Sequence, residues 1–102
     1  MSTVHERIDQ ILNDNKIVLF MKGTQNFPMC GFSSRACAIL QDIGVQFHDV
    51  NVLEDEEIRQ GIKEYGNWPT IPQLYINKQL VGGSDIMMEM YQSGELQEML
   101  KN

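Results

Sequence analysis

Behind a capping-box pattern, Thr3-Val4-His5-Glu6, apolar residues recur at Val4, Ile8, Ile11 and Leu12, the spacing of one helical face, before Asn13-Asp14-Asn15. An amphipathic helix is therefore predicted near the start of the chain. The run Ile17-Val18-Leu19-Phe20-Met21 is apolar without alternation, as in a strand covered on both faces. A loop follows over 22–29, marked by Gly23, Asn26 and Pro28. Phe32, Ala36, Ile39, Leu40 and Ile43 then fall on one helical face, with Gly44 just beyond as a natural C-cap. Apolar and polar residues alternate over 45–52, which predicts a second strand. An acidic turn over 54–57 opens another helix, which carries Ile58, Ile62 and Tyr65 as far as Gly66. Residues 73–76 and 79–81, joined by Asn77-Lys78, read as a hairpin. Gly82-Gly83-Ser84-Asp85 introduces a final helical region over 86–100, interrupted at Ser93-Gly94.

The order α-β-α-β-α-β-β-α constrains the architecture. A strand-helix-strand crossover makes the first two strands parallel, and the hairpin adds antiparallel ones. One α/β domain over 1–102 is expected, with a mixed sheet and helices on both of its faces. At 102 residues and 42% hydrophobic content, a single core suffices without disulfides or a structural metal. A net charge of -6, with the eight Lys and Arg scattered along the chain, argues against nucleic acid as a partner. The longest apolar run, at 17–21, is too short to span a membrane, and the charged first twelve residues do not resemble a signal peptide. The expected setting is soluble and cytoplasmic.

Candidate chemistry centres on Cys30, in Pro28-Met29-Cys30-Gly31-Phe32-Ser33 at a loop-to-helix junction. Unpaired amides at a helix N-terminus favour thiolate, the form that attacks disulfides and binds metals. Ser33 stands where a Cys-x-x-Cys motif would carry its second sulfur, so Cys30 cannot close a disulfide within the motif. Any redox or metal work must recruit a sulfur from outside. Cys37 lies seven residues on, about 10 Å along an intact helix, too far to pair with Cys30, and it reads as a buried packing residue. Trp68-Pro69-Thr70-Ile71-Pro72 is a second marker: Pro72 enters a strand and is a candidate cis bond. The residue before it, Ile71, can offer its N–H and C=O to an extended peptide. Trp68 itself can equally serve to pack that loop. His5 and His48 have no metal-like spacing to the cysteines.

Together, Lys22, Cys30-Gly31-Phe32-Ser33, the 68–72 motif and Gly82-Gly83-Ser84-Asp85 resemble a monothiol glutaredoxin with a Cys-Gly-Phe-Ser site, across essentially the whole chain. The resemblance implies a thioredoxin fold with a four-stranded mixed sheet. It implies a glutathione site in which Lys22 and Arg59 pair with the glycine carboxylate and Ile71, before Pro72, exchanges backbone hydrogen bonds with the cysteinyl residue. Gly83, Ser84 and Asp85 would hold the γ-glutamyl end. An ordinary surface ion pair with the acids at 54–57 competes for Arg59. It further implies a bridging 2Fe-2S cluster in a homodimer, held by Cys30 and one glutathione thiolate from each side. Iron-sulfur apoproteins and a BolA-like protein are the implied partners. Family members with cysteine at the position of Ser84 can form a disulfide that this chain cannot. The implied role is cluster transfer; the alternative is a glutathione-dependent monothiol reductase.

Overall fold

The structure, a computed structural model, describes residues 3–101; Met1, Ser2 and Asn102, and with them the extreme ends of the expected domain, lie outside the described residues. Among the described residues five helices and four strands follow in the order α1 (Val4–Asp14), β1 (Ile17–Met21), α2 (Gly31–Ile43), β2 (His48–Asn51), α3 (Glu56–Tyr65), β3 (Gln73–Ile76), β4 (Gln79–Gly82), α4 (Ser84–Ser93) and α5 (Glu95–Met99), with a 3-10 turn at Val52–Glu54. The capping box forms as expected, since Glu6 N–H donates to Thr3 Oγ1 and Thr3 N–H to Glu6 Oε1.

The sheet runs β2-β1-β3-β4, with β1 parallel to β2 and antiparallel to β3, and β4 antiparallel to β3. All five residues of β1 are buried, because helices cover both faces. Ile17, Leu19 and Met21 face a core built with Ala36, Cys37 and Leu40 of α2, Met87 of α4 and Leu96 of α5. Val18 and Phe20 face the opposite core, with Ile8 and Leu12 of α1 and Ile58 and Ile62 of α3. Each such side chain, fully buried, contributes about 1.5–3 kcal/mol relative to exposure. This is the expected mixed sheet between helical layers.

Three expectations change. The second strand does not run over 45–52: only His48–Asn51 pairs, as an edge strand opposite Val18–Met21. Phe47 is buried against the core from an irregular segment, and Asn51 ends the strand by accepting the Leu53 amide into the 3-10 turn. Alternation there reflects packing of a loop residue, not a longer ladder. The last helical region starts earlier than expected, at Ser84; its expected interruption is borne out at Gly94, whose φ of 86° turns the chain between α4 and α5. Phe32 does not join the helical core face: in the first turn of α2 the next residue, Ser33, is fully buried, while Phe32 remains 60% exposed.

Candidate functional site

Cys30 is the N-cap of α2, and its Sγ accepts the Ser33 N–H at 3.3 Å. Ser33, fully buried, ties this turn to the end of β1: its Oγ accepts the Lys22 N–H at 3.0 Å and lies 3.4 Å from Sγ. The loop between them is braced by an isolated bridge from Gly23 to Pro28, by Gly23 N–H donating to Asn51 Oδ1, and by Gln25 N–H donating to Asp49. Gly23 must be glycine, since its φ is +91° and a Cβ would stand 2.4 Å from the Phe27 carbonyl. The sequence thus holds Cys30 from both sides. Burial is the largest influence on the thiol and pushes its pKa up, but the hydroxyl and amide of Ser33, the Phe32 amide and the charge of Lys22 together outweigh it. The net result is a partly exposed thiol held below its ordinary value. Cys37 behaves oppositely: burial, with Asp49 adding to it, pushes its thiol up to about 11, and its Sγ packs 3.4 Å from Met21 Sδ.

Beside this turn lies a groove of ≈430 Å³ lined by Lys22, Phe32 of α2, Arg59 and Lys63 of α3, residues 68–72, and residues 83–86 at the start of α4. The fold therefore brings together Lys22, Arg59, Ile71, Pro72, Gly83, Ser84 and Asp85. Cys30 itself is not a lining residue; Phe32, two positions on, is. The Ile71–Pro72 bond is cis, as Pro72 suggested. Ile71 lies just beyond the β1–β3 ladder, whose last pair is Phe20 with Gln73.

Gln73 fixes the approach of this segment to the groove. Although fully buried, it donates from Nε2 to the Trp68 and Thr70 carbonyls at 3.0 and 3.2 Å, and its Oε1 accepts the Tyr75 hydroxyl at 3.0 Å. On the opposite wall, Gly83 allows α4 to approach, since a Cβ there would come 3.2 Å from the Pro72 carbonyl and 3.5 Å from Trp68 Nε1. Trp68 Nε1 and Arg59 Nε are both buried and find no hydrogen-bond partner among the described residues. Arg59 does pair with Glu56, but loosely, at 3.9 Å. No side chain caps α4, so its first amides are left for another acceptor.

Sequence reasoning missed Arg35, Lys63 and Gln73. Arg35 donates from Nε to Ser84 Oγ at 2.7 Å and pairs through Nη2 with Asp85. Helical spacing held the signal for two of them: Arg35 follows Phe32 by three residues, and Lys63 follows Arg59 by four, so each shares a face with a residue of the groove. Nothing in the local sequence marks Gln73, whose partners are set by the fold. Exposed Phe27 and Met29 sit in the loop before Cys30, with Phe32 just after it.

A thiol at a helix N-terminus, a cis-proline segment and a basic groove between them define the class: residues 17–81 match the glutaredoxin family, and the chain belongs to that family. Within it, relatives more than half identical to this chain carry monothiol names. The chain is 61% identical to a monothiol glutaredoxin of Synechocystis sp., covering 93% of this chain and 89% of that one. It is 56% identical to a probable monothiol glutaredoxin 2 of Rickettsia conorii, covering 92% and 88%. The solution structure of reduced poplar apo GrxS14 superposes with a TM-score of 0.81 at 53% identity, over 90% of this chain and 84% of that one. The thioredoxin-type fold expected from the sequence is the fold observed. Among the described residues, no helix is long and apolar enough to cross a membrane.

Proposed function

We propose that this chain binds glutathione in the groove and, with Cys30, carries a 2Fe-2S cluster as cargo for delivery to apoproteins. The observation that carries this reading is a single thiol, held toward thiolate, at the rim of a groove lined by three cations, with serine in the second motif position. Lys22 and Arg59 would grip the glycine carboxylate, the first as a point charge and the second with a fork. The Ile71 backbone, ahead of Pro72, would add the cysteinyl residue as a short strand. Gly83, Ser84 and Asp85 would take the γ-glutamyl end on the uncapped amides of α4. Buried Arg59 Nε and Trp68 Nε1 are donors in want of an acceptor, which suits an acceptor-rich ligand.

The donor set fits cargo rather than a resident metal. A 2Fe-2S cluster takes four thiolates. Among the described residues no group of three or more His, Cys, Asp or Glu could hold a metal, so this chain offers Cys30 and the rest come from outside. Two copies and two glutathione thiols complete the set in a homodimer. Ligands of which half are dissociable allow release without unfolding. Iron-sulfur apoproteins, and a BolA-like protein as a second subunit, are the partners this reading implies, in a cytoplasmic setting.

The lowered Cys30 thiol favours a second reading, a monothiol reductase. Its thiolate would attack the glutathione sulfur of a mixed disulfide, expelling the protein thiolate; a second glutathione thiolate would then release glutathione disulfide and regenerate Cys30.

Anaerobic reconstitution of the reduced protein with iron and sulfide, with and without glutathione, tests the choice. Glutathione-dependent visible absorption in a dimer fraction is expected, lost in Cys30→Ser and retained in Cys37→Ser. A colourless monomer under both conditions refutes the carrier reading and leaves the reductase. Colour persisting in Cys30→Ser refutes Cys30 as the ligand.

A further inference from the structure

At the α4 end of the groove, one guanidinium touches two of the residues assigned to the ligand. Arg35 Nε donates to buried Ser84 Oγ at 2.7 Å, its Nη2 pairs with Asp85, and its Cζ lies 6.0 Å from the centroid of the Phe32 ring, part of the groove wall. The two contacts differ in strength. The bond to Ser84 is part-buried and well formed, whereas the Asp85 carboxylate is 86% exposed, and a pair so open to solvent is worth little. Arg35 can therefore stay anchored through Nε while its two terminal nitrogens exchange one carboxylate for another. Asp85 and Arg35 present an anion and a cation side by side at a helix start whose amides have no side-chain cap.

We infer that Arg35 is a specificity-determining residue that reads the α-carboxylate of a γ-glutamyl ligand, releasing Asp85 to the α-ammonium. The inference rests on the glutathione reading above. A γ-glutamyl group carries both charges on one carbon, so it inserts between Arg35 and Asp85 as a complementary pair and leaves no charge unpartnered. A ligand with only the ammonium gains Asp85 at the cost of breaking the existing pair. A ligand with only the carboxylate must leave Asp85 without its partner. The pair thus selects for the zwitterion. It also separates this role from simple cross-bracing of α2 to α4, which would affect every ligand alike.

The test is an amide chemical-shift titration of the wild-type chain and of Arg35→Gln with three ligands: S-methylglutathione, its 4-aminobutanoyl analogue lacking the α-carboxylate, and its glutaryl analogue lacking the α-ammonium. The wild type should prefer S-methylglutathione over the 4-aminobutanoyl analogue by about tenfold, the order expected of a charge-assisted contact in partial solvent. Arg35→Gln should cut that preference to about threefold or less, weakening S-methylglutathione while binding the 4-aminobutanoyl analogue at least as tightly as the wild type. Arg35→Lys, which keeps the charge without the fork, should fall between. Equal weakening of both ligands in Arg35→Gln would mean a bracing role and overturn the inference, as would unchanged or tighter binding of S-methylglutathione. If S-methylglutathione moves no groove amides in the wild type, the glutathione reading itself fails and this inference falls with it.

Discussion

Replacing Gln73 with methionine should cost more stability than any single interaction at the groove rim. Gln73 is fully buried and serves three partners: the Trp68 carbonyl, the Thr70 carbonyl and the hydroxyl of Tyr75, itself 2% exposed. Methionine keeps the length and most of the volume, so the packing change is small. The hydrogen bonds have no such substitute. Gly66 closes over the pair so tightly that a Cβ there would stand 2.3 Å from the Tyr75 oxygen, which leaves no room for a replacement water. Stranding that hydroxyl costs about 1–3 kcal/mol, while the two carbonyls, on a loop whose Thr70 is exposed, lose only about 0.5–1 kcal/mol each as water replaces the donor. The expected loss is about 2–5 kcal/mol, or on the order of 10–25 °C in Tm for a chain of this size. Thermal and urea unfolding of Gln73→Met measures it. Adding Tyr75→Phe removes the stranded hydroxyl and should recover about 1–2 kcal/mol. A Gln73→Met variant within about 0.5 kcal/mol of wild type, or a double variant no more stable than the single one, would refute the account of Gln73 as the brace of the 68–72 segment.

Ser33→Ala should move the pH profile of Cys30 alkylation by iodoacetamide upward, because the Ser33 hydroxyl is the largest of the influences holding the thiol low. An unchanged profile would refute that role. Asp55 gives a stability prediction with a definite sign. Its carboxyl is held below its ordinary 3.8, first by the Arg7 side chain and then by the Ile58 amide that it caps. A depressed carboxylate contributes stability that is present above the unfolded value and lost as pH falls through the folded one. The stability gap between wild type and Arg7→Ala should therefore be constant near neutrality and narrow below about pH 4, as urea unfolding across pH 3–7 would show; a gap independent of pH would count against the pairing.

How much of this was legible in the sequence depends on the range of the interaction. Elements set by local pattern were read correctly: the capping box at Thr3, the doubly covered strand at 17–21, the Gly44 C-cap, and the helix that starts at Cys30. The extent of β2 was not, because Val45 and Phe47 alternate with polar residues in the same way whether they sit in a ladder or pack from a loop. Phe32 matched a helical core face by spacing, but it lines the groove and stays 60% exposed, and the turn buries Ser33 instead. At the site, motif residues from four separate segments were foreseen as neighbours and line or border one groove. Helical spacing from Phe32 marks the face on which Arg35 lies, but what Arg35 and Gln73 bind was invisible for a common reason. Their partners, Ser84 for the first and the 68–72 segment for the second, are set by tertiary packing, and no local pattern reports it.

The same distinction bears on charge. Read along the chain, the Lys and Arg residues are scattered and the net charge is -6, which argues against nucleic acid as a partner. In the fold, Lys22, Arg59 and Lys63 line one groove, and Arg35 reaches its far end, where Asp85 is the single lining carboxylate. A local cationic concavity on an acidic protein focuses small anions while the remaining surface repels large polyanions. A groove of ≈430 Å³ is of a size to hold a small ligand. Lys22 then has two duties that reinforce each other. Its charge lowers the Cys30 thiol, and its ammonium lines the groove in which an anionic ligand would lie, so it offsets the repulsion between a thiolate and an anion brought beside it. Of the three cations lining the groove, Lys22 is the one whose charge lowers the thiol. In the proposed site, Lys22 is therefore the residue that would tie ligand capture to sulfur chemistry, fixed through its own amide to Ser33, the same side chain that lowers the Cys30 thiol.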